Sequence, residues 1–230
     1  MEIFRNVPPK NKFLQKVRKL ASKKNIVLIF DECTSGFRES FGALHLNYKV
    51  KPDMCILGKA LGNGFPITVV LGKREIMENA QSSFISSTFW TERSGYVAAL
   101  KTLEIMEKIK SWNLLKIQGK KIKKMISKIA NKHHIKLNIS GLDACPSFTF
   151  HDKDKWIEHK TYLTQELLKG NVLGANTTYM SISHTDKIIK TYENKLEKIF
   201  YKIDRINKSG NDIKQYLDGP VSHSTFKRLN

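Results

Sequence analysis

The segment Pro52–Pro66, PDMCILGKALGNGFP, decides the fold, because it joins a short apolar run to a lysine and a glycine-rich turn. The run DMCILG is typical of a buried strand, and Lys59 follows directly after it. A Gly-Lys pair in this setting first indicates a phosphate-binding loop, but that loop needs a glycine five positions before Gly58 and a hydroxyl residue after the lysine. Asp53 and Ala60 stand at those positions, so this interpretation fails.

Two further strand-like runs flank this segment. The run IVLIF (26–30) precedes the carboxylates of Asp31 and Glu32, and PITVVLG (66–72) follows the glycine-rich turn. The pattern of NKFLQKVRKLASKKN (11–25) predicts an amphipathic helix before the first run. Three buried strands in so short a stretch predict a mixed or parallel sheet covered by helices, which is an α/β arrangement.

The rest of the chain predicts two long helices and then a change of texture. The first helix is predicted over TERSGYVAALKTLEIMEKIK (91–110), with one buried face and Thr91 as its cap. Beyond about residue 135 come two short strands, IKLNIS and SFTFHD, a helix at YLTQELLKG and a last helix near Thr185. We therefore predict two domains, residues 1–112 and a small α+β domain of residues 113–230.

Composition argues against several classes of protein. The chain of 230 residues is 40% hydrophobic, and it has no apolar run of the ~20 residues that a membrane helix needs. Its charged opening is not a secretory signal, so a cytoplasmic location is expected. Cys33, Cys55 and Cys145 form no CxxC pair, and no histidine has metal-ligand spacing, so we predict neither a metal site nor a disulfide framework.

The net charge of +19 makes nucleic acid a candidate partner by its electric field alone. Most of the basic residues are Lys, however, rather than Arg, which is the residue that binds bases and phosphates through two hydrogen bonds. Many lie in KIQGKKIKKMISKIANKHH (116–134), where the Ile and Met spacing suits an amphipathic helix with a solvated face. A solvated helix face therefore explains the charge at least as well as nucleic-acid binding does, and we expect neither nucleic acid nor a membrane as the partner.

Asp31 and Lys59 both follow predicted strands, at the edge where an open α/β sheet places its ligand crevice. On spacing alone, a structural ion pair accounts for them equally well. The functional alternative is more specific, since a half-buried lysine becomes a nucleophile that can form a Schiff base. A buried aspartate can in turn hold a proton on a heterocyclic nitrogen.

Several motifs carry a resemblance to a known family: LIFDECTSGFR (28–38), KPDMCILGKALGNGFPITVVLGKREIM (51–77) and SSTFWTERSGYVAALKTLEIME (86–107). Their order, spacing and residue types resemble the fold-type-I, class-III pyridoxal-phosphate (PLP) aminotransferases, which include glutamate-1-semialdehyde aminomutase. The resemblance continues to the tail LDGPVSHSTFKRLN and covers essentially the whole chain. It implies part of a large PLP-binding domain with a mixed or parallel sheet, followed by a small C-terminal α+β domain.

The resemblance implies roles for four residues. Lys59 matches the Schiff-base lysine, which holds the cofactor aldehyde, is displaced by the amino donor and then moves a proton. Asp31 matches the aspartate that keeps the pyridine nitrogen protonated, so that the ring accepts electrons. Cys33, on the face of Asp31 by the period of two, matches the residue beneath the ring, which is usually a branched aliphatic. Thr88 matches the threonine that reaches the cofactor phosphate in the neighbouring subunit of a dimer.

Other polar residues keep two interpretations each. The segment Ser86–Thr88 would on its own be a helix-capping loop. Arg38 and Glu39 are either residues of the site wall or an exposed salt bridge. His184 matches a position where the family's small domain approaches the active site, but it also suits a helix start.

The resemblance also implies that part of the family's fold precedes Met1. The glycine-rich turn that binds most of the cofactor phosphate lies in that part, together with much of the substrate pocket. We therefore expect the C-terminal portion of an aminotransferase or aminomutase, from a split gene, a truncated reading frame or a protein with a separate N-terminal chain. An amino donor and a carbonyl acceptor are its expected small-molecule partners, and the full-length protein is expected to be a homodimer. The alternative is a non-catalytic remnant, or a basic nucleic-acid-binding or interaction module on the same fold.

Overall fold

The chain divides into two units, Met1–Lys116 and Ile117–Asn230, and each contains its own sheet. The computed structural model describes residues 8–86, 88, 91–152 and 155–223. Among these residues, none of the helices combines the length and the apolar character that a membrane span requires. That residues 1–112 and 113–230 are separate domains stays a prediction.

The sheet of the first unit is mixed, as predicted. Strand β1 (Ile29–Asp31) pairs in parallel with β2 (Met54–Leu57), and β2 pairs antiparallel with β3 (Val69–Gly72), which makes β2 the central strand. The helices of this unit are α1 (Phe13–Lys23), α2 (Arg74–Met77) and α3 (Ser94–Ile109), with 3-10 helices at Leu44–Tyr48 and Glu78–Ser82. A further helix, α4 (Ser111–Lys132), continues into the second unit.

The outer strands of this sheet are less buried than the sequence predicts. Ile29 of β1 is 49% exposed, and Val70 and Leu71 of β3 are about half exposed, whereas Cys55 and Leu57 of β2 are buried. The prediction of three buried strands is therefore wrong for β1 and β3. They lie at the two edges of a three-stranded sheet, where fewer of the described residues cover their side chains.

Two apolar clusters support the first unit. The smaller cluster joins α1 to β1, and its buried members are Leu14, Phe30 and Val50. In the larger cluster, Leu57 and Leu61 flank Lys59 in the sequence, so the turn that carries the lysine is anchored on both sides. The remaining buried members of the larger cluster are Phe37, Ala43, Cys55, Ala99 and Met106.

Asp53, immediately before β2, joins three parts of the first unit. Its carboxylate accepts a hydrogen bond from the Leu28 backbone N–H (2.8 Å) and pairs with the Arg18 guanidinium (2.6 Å) and the Lys73 amine (2.9 Å). The Leu28 N–H, followed by Lys73 and Arg18, lowers the pKa of Asp53 well below its usual range. The buried carboxylate thus ties α1 and the end of β3 to the residues that lead into β1.

The start of α3 differs from the predicted one. The sequence predicts Thr91 as the cap of this helix, but the helix begins at Ser94 and Thr91 lies in an exposed turn. The reason is local, since the Glu92 carboxylate accepts the Ser94 backbone N–H (2.7 Å) in place of a threonine hydroxyl. Only part of the predicted apolar face is buried, because Val97 and Leu100 are 65% and 69% exposed.

The second unit pairs two antiparallel strands with helices, which agrees with the predicted α+β texture. Its elements are β4 (Leu137–Ser140), β5 (Ser147–Phe150), α5 (Trp156–Lys169), α6 (Asp186–Ser209) and a 3-10 helix at Ile213–Tyr216. Thr185 caps α6, since its hydroxyl accepts the Ile188 backbone N–H (3.4 Å). The rings of Phe148, Phe150 and Phe200 meet edge to face, with centroids 6.1 to 6.2 Å apart.

Candidate active site

The parallel pairing of β1 and β2 brings Asp31 and Lys59 to the same edge of the sheet. Asp31 is the last residue of β1 and lies opposite Ile56 of β2, and Lys59 follows three residues after Ile56. The carboxyl ends of parallel strands share one edge, where open α/β sheets bind their ligands. The sequence prediction that both residues end neighbouring strands is therefore consistent with the register.

The carboxylate of Asp31 contacts the turn that follows β1. Its Oδ1 accepts a hydrogen bond from the backbone N–H of Cys33 (3.0 Å), and the residue as a whole is exposed. Because β1 ends at Asp31, Cys33 lies in the turn and not on the strand. The prediction that Cys33 shares a strand face with Asp31 is therefore wrong, although the backbone N–H of the half-buried Cys33 contacts the Asp31 carboxylate.

Lys59 occupies an unusual backbone conformation. Its φ is +45°, in the left-handed region that few residues other than glycine adopt. The sequence predicts a half-buried lysine, but Lys59 is exposed. It lies at the tip of a turn that starts after β2, and the described residues do not enclose it. Its amine donates a hydrogen bond to the hydroxyl oxygen of Thr34.

The glycines around Lys59 allow close approach of neighbouring groups. A Cβ atom at Gly58 would lie 3.1 Å from Cγ2 of Thr68 and 3.7 Å from Sγ of Cys33. A Cβ atom at Gly62 would lie 2.2 Å from the carbonyl oxygen of Phe65, a distance that real atoms do not tolerate. Cys33 is thus adjacent to Asp31 through its backbone N–H and to Gly58, the residue before Lys59, through its sulfur.

Few of the residues around Thr88, the fourth predicted site residue, are described by the structure. Thr88 is exposed and lies in a turn, while its neighbours Ser87, Phe89 and Trp90 fall outside the described residues. Its predicted contact with the phosphate of a neighbouring subunit stays a prediction.

Glu32 has a structural role that the sequence does not predict. This residue is fully buried, and its carboxylate accepts hydrogen bonds from the backbone N–H groups of Leu44 and His45, from His45 Nδ1 (2.8 Å) and from the Ser35 hydroxyl (3.2 Å). Glu32 therefore anchors the turn that carries Asp31, Cys33 and Thr34. The sequence holds one hint of this role, namely a second carboxylate directly after the strand. A carboxylate at a buried position needs several hydrogen-bond donors.

Glu32, His45 and Cys55 also bring three metal-ligand types within 4.8 Å of one another. Both oxygens of the Glu32 carboxylate already accept two hydrogen bonds each. Burial, reinforced by the Glu32 charge, raises the pKa of the Cys55 thiol to about 11, so this sulfur is not a thiolate at neutral pH. The group is better explained as a hydrogen-bond network than as a metal centre.

The remaining polar candidates have local partners. The Arg38 guanidinium donates from Nε to the Thr34 carbonyl (2.7 Å), so it braces the turn after β1. The ring of His184 accepts the Ser181 backbone N–H through Nδ1 (3.3 Å), and its neighbour Thr185 caps α6. This geometry agrees with the helix-start interpretation of His184.

The sequence of this chain is similar to proteins of one family. The family model for class-III aminotransferases matches residues 6–204. A 3-aminobutyryl-CoA aminotransferase of Cloacimonas acidaminovorans is 33% identical over 215 residues, which cover 91% of this chain and 49% of that protein. A glutamate-1-semialdehyde 2,1-aminomutase of Hyperthermus butylicus is 30% identical over 213 residues, covering 86% of this chain and 50% of the relative.

A solved structure shares the fold at lower identity. The FumI protein of Sphingopyxis sp. MTA144, solved in a form with PLP, superposes with a TM-score of 0.82 at 22% identity, over 90% of this chain and 51% of that one. This chain therefore has the fold of the C-terminal portion of a fold-type-I transaminase. It spans about half the length of the curated relatives that it matches.

Proposed function

Because the chain belongs to the class-III aminotransferase family, we propose that it carries the cofactor-binding lysine of a PLP-dependent enzyme that moves an amino group between small molecules. The observation that carries the proposal is the parallel pairing of β1 and β2, which brings Asp31 and Lys59 to one sheet edge with Cys33 beside them. The enzyme is either an aminotransferase, with an amino donor and a carbonyl acceptor, or an aminomutase with a single substrate.

The residues at this edge fit PLP in their chemistry. The cofactor has an aldehyde, which a primary amine attacks, and a pyridine nitrogen, which a carboxylate can keep protonated. Lys59 offers an exposed amine, and Asp31 offers an exposed carboxylate whose Oδ1 is oriented by the Cys33 N–H. When bound, PLP supplies the electron sink that stabilises negative charge on the substrate carbon.

Each residue then has one task. The amine of Lys59 would hold the cofactor covalently and, when free, would accept and return a proton at Nζ. The carboxylate of Asp31 holds a proton on the ring nitrogen. The small, half-buried side chain of Cys33 would pack beneath the ring, and Thr88 would donate its hydroxyl to the cofactor phosphate in a neighbouring subunit.

The partners of the chain belong to the same proposal. The relatives are about twice as long as this chain, so the substrate pocket is expected to include residues that match their other half. We expect these residues to come from a separate N-terminal chain or an upstream segment, and the complete protein to be a cytoplasmic homodimer. The exposed apolar residues of the first unit, Ile29, Val70, Leu71, Val97 and Leu100, support such a partner.

The lysines of α4 do not favour a nucleic-acid function. Lys120 and Lys123 lie 3.8 and 3.0 Å from the Asp143 carboxylate, and Lys132 pairs with Glu197. Carboxylates thus neutralise part of this basic face, which supports the interpretation as a solvated helix. A salt titration of binding to a DNA or RNA probe tests the alternative, since binding to phosphates weakens steeply as the salt concentration rises.

The main test is covalent trapping of PLP. The purified chain is mixed with PLP and reduced with borohydride, and the modified peptide is identified by mass spectrometry. We expect modification at Lys59 in preference to Lys51, an exposed lysine on the approach to the same strand. Lys59→Ala should abolish the visible absorption band of the complex, whereas Lys51→Ala should keep it.

Equal modification of all exposed lysines, both in the chain alone and after addition of a matching N-terminal half, would contradict the proposal. Adding the expressed N-terminal half of a relative is the second arm, because selective trapping that appears only in the mixture would support a chain that needs a partner. Supplying one amino-carbonyl substrate to the active mixture then separates the two reactions, since only an aminomutase needs no second substrate.

A further inference from the structure

The amine of Lys59 has a defined partner that neither the motif nor the family match assigns. It donates a hydrogen bond to the hydroxyl oxygen of Thr34, a residue 25 positions earlier in the chain. We propose that Thr34 is a positioning residue, whose hydroxyl holds the Lys59 amine whenever that amine is not bonded to a cofactor. This inference rests on the proposed role of Lys59.

The Thr34 end of the contact is held firmly. Thr34 is only 1% exposed, and its carbonyl oxygen accepts a hydrogen bond from Arg38 Nε (2.7 Å). The turn around it is closed by the Gly36 N–H, which donates to the Glu32 carbonyl (2.8 Å), and the buried Glu32 carboxylate fixes the same turn. A threonine side chain also has few rotamers, so its hydroxyl has little freedom to move.

The Lys59 end is held by its backbone. The Lys59 carbonyl oxygen accepts the Asn63 N–H (3.1 Å), and the Gly58 carbonyl oxygen accepts the Leu61 N–H (3.0 Å). Close packing at Gly58, described above, leaves the turn little room to shift. The flexible part is therefore the four-carbon side chain of Lys59, which reaches from one fixed turn to another.

A fixed acceptor has a direct consequence for a lysine that must leave and regain a covalent bond. While the amine is not bonded to a cofactor, the hydroxyl of Thr34 offers it a defined resting position in the turn that follows Asp31 and Cys33. The amine would thereby be kept at the sheet edge of the candidate site, and it would not swing into solvent. The contact also holds the amine against the buried Thr34 side chain. A reagent that has no binding site at this edge should therefore reach it more slowly than it reaches a freely extended lysine.

The experiment measures the reactivity of Lys59 in the full 230-residue chain without cofactor. A neutral amine-acylating reagent is added in small amount, and the labelling rates of Lys59 and Lys51 are compared by mass spectrometry. We expect Lys59 to react about 3- to 10-fold more slowly than Lys51, the range that one hydrogen bond accounts for. In Thr34→Val the two rates should become equal, and in Thr34→Ser, which keeps the hydroxyl, the difference should return.

Thr34→Ala serves as a second variant, and circular dichroism of each variant checks that it is folded. Equal rates in the unaltered chain, or an unchanged ratio in both Thr34→Val and Thr34→Ala, would overturn the inference. If both variants unfold, the ratio in the unaltered chain and in Thr34→Ser decides the matter. The two proposals can fail separately. If PLP is trapped selectively at Lys59 but substitution of Thr34 does not change the labelling rate, only this inference is wrong. If the labelling rate depends on Thr34 but PLP is not trapped selectively, the proposed function is wrong.

Discussion

The two units differ in how completely they bury their own apolar side chains. In the second unit Leu163, Leu167, Leu196, Phe200 and Ile203 are all 0% exposed, whereas the apolar core residues of the first unit keep 4 to 8% of their surface exposed. The first unit also leaves large apolar residues in solvent on β3 and α3. The unit that carries the candidate active site is thus the one with the incomplete core, and the unit without it is well packed.

The largest effect should come from truncating a leucine in the complete core. Leu196 of α6 is 0% exposed, and Leu100 of α3 is 69% exposed. Leu196→Ala should lower the free energy of unfolding by about 3 kcal/mol, and Leu100→Ala by less than about 0.5 kcal/mol. Urea unfolding followed by circular dichroism measures both. A large loss for Leu100→Ala would mean that another chain covers α3 in solution.

Close packing can also be probed by adding an atom. A Cβ at Gly119 of α4 would lie 1.5 Å from the Asp143 carbonyl oxygen, but one at Gly95 of α3 would lie 3.1 Å from its nearest neighbours. Gly119→Ala should therefore cost about 3 kcal/mol, near the upper end for an overpacked core. For Gly95→Ala, the gain in helix propensity of about 1 kcal/mol should offset the tight contact. The comparison by urea unfolding fails if both substitutions are tolerated.

Ion pairs compensate in part for the incomplete apolar core of the first unit, and substitution of Asp53 tests this. Asp53→Asn should destabilise the unit by about 2 kcal/mol at neutral pH, because the Leu28 N–H, Lys73 and Arg18 all donate to the charged carboxylate. The folded pKa of Asp53 lies below the unfolded value of about 3.9. The charged carboxylate therefore stabilises the folded state fully at pH values above the unfolded pKa. This stabilisation is lost as the pH falls from the unfolded pKa toward the folded pKa.

Hydrogen exchange of the amides near β1, at neutral pH and at about pH 3, should show this loss in the unaltered chain and much less of it in Asp53→Asn. The matched control is Glu197→Gln in the second unit, where mainly the Lys132 hydrogen bond lowers the pKa of a partly exposed carboxylate. If Glu197→Gln removed more of the acid-induced change in exchange than Asp53→Asn does, the expectation would be contradicted.

The smallest expected effect concerns the starts of the long helices. Thr185→Ala should cost about 1 kcal/mol, because it removes the hydroxyl that caps α6, and Thr185→Ser should retain the cap. Arg93→Ala, at the corresponding position before α3, should change little, since Arg93 makes no side-chain cap bond. Thermal unfolding of the three variants measures the difference, and equal losses for Thr185→Ala and Arg93→Ala would count against it.

Much of this fold could be predicted from local sequence patterns. The strand at Met54–Leu57 follows from its apolar run, and the cap at Thr185 follows from a hydroxyl residue before an amphipathic repeat. The exposure of Val70, Leu71 and Leu100 could not be predicted in this way. An apolar pattern indicates which face prefers burial, but it does not say whether the residues that bury it belong to the same chain.

The two charged residues of the candidate site could be predicted from the sequence, but the hydrogen bonds that hold them in place could not. Asp31 and Lys59 each follow an apolar run directly, and a charged residue in that position is typical of a strand that ends at the edge of a sheet. The hydrogen-bond partners of Glu32 and Thr34 could not be predicted, since hydrogen bonds across 13 and 25 positions have no periodic signal. The left-handed backbone of Lys59 could not be predicted for a similar reason, as the surrounding turn imposes it.

The glycine-rich turn has a consequence for anyone who designs variant libraries of this protein. Gly58 and Gly62 are closed to larger side chains by neighbouring atoms, and Gly64 is restricted by its φ of +106° although the space around it is open. Random mutation of the turn would therefore yield mostly damaged chains. Diversity that retunes the lysine is better introduced at the half-buried Cys33, whereas the buried Thr34 allows only conservative replacements such as serine.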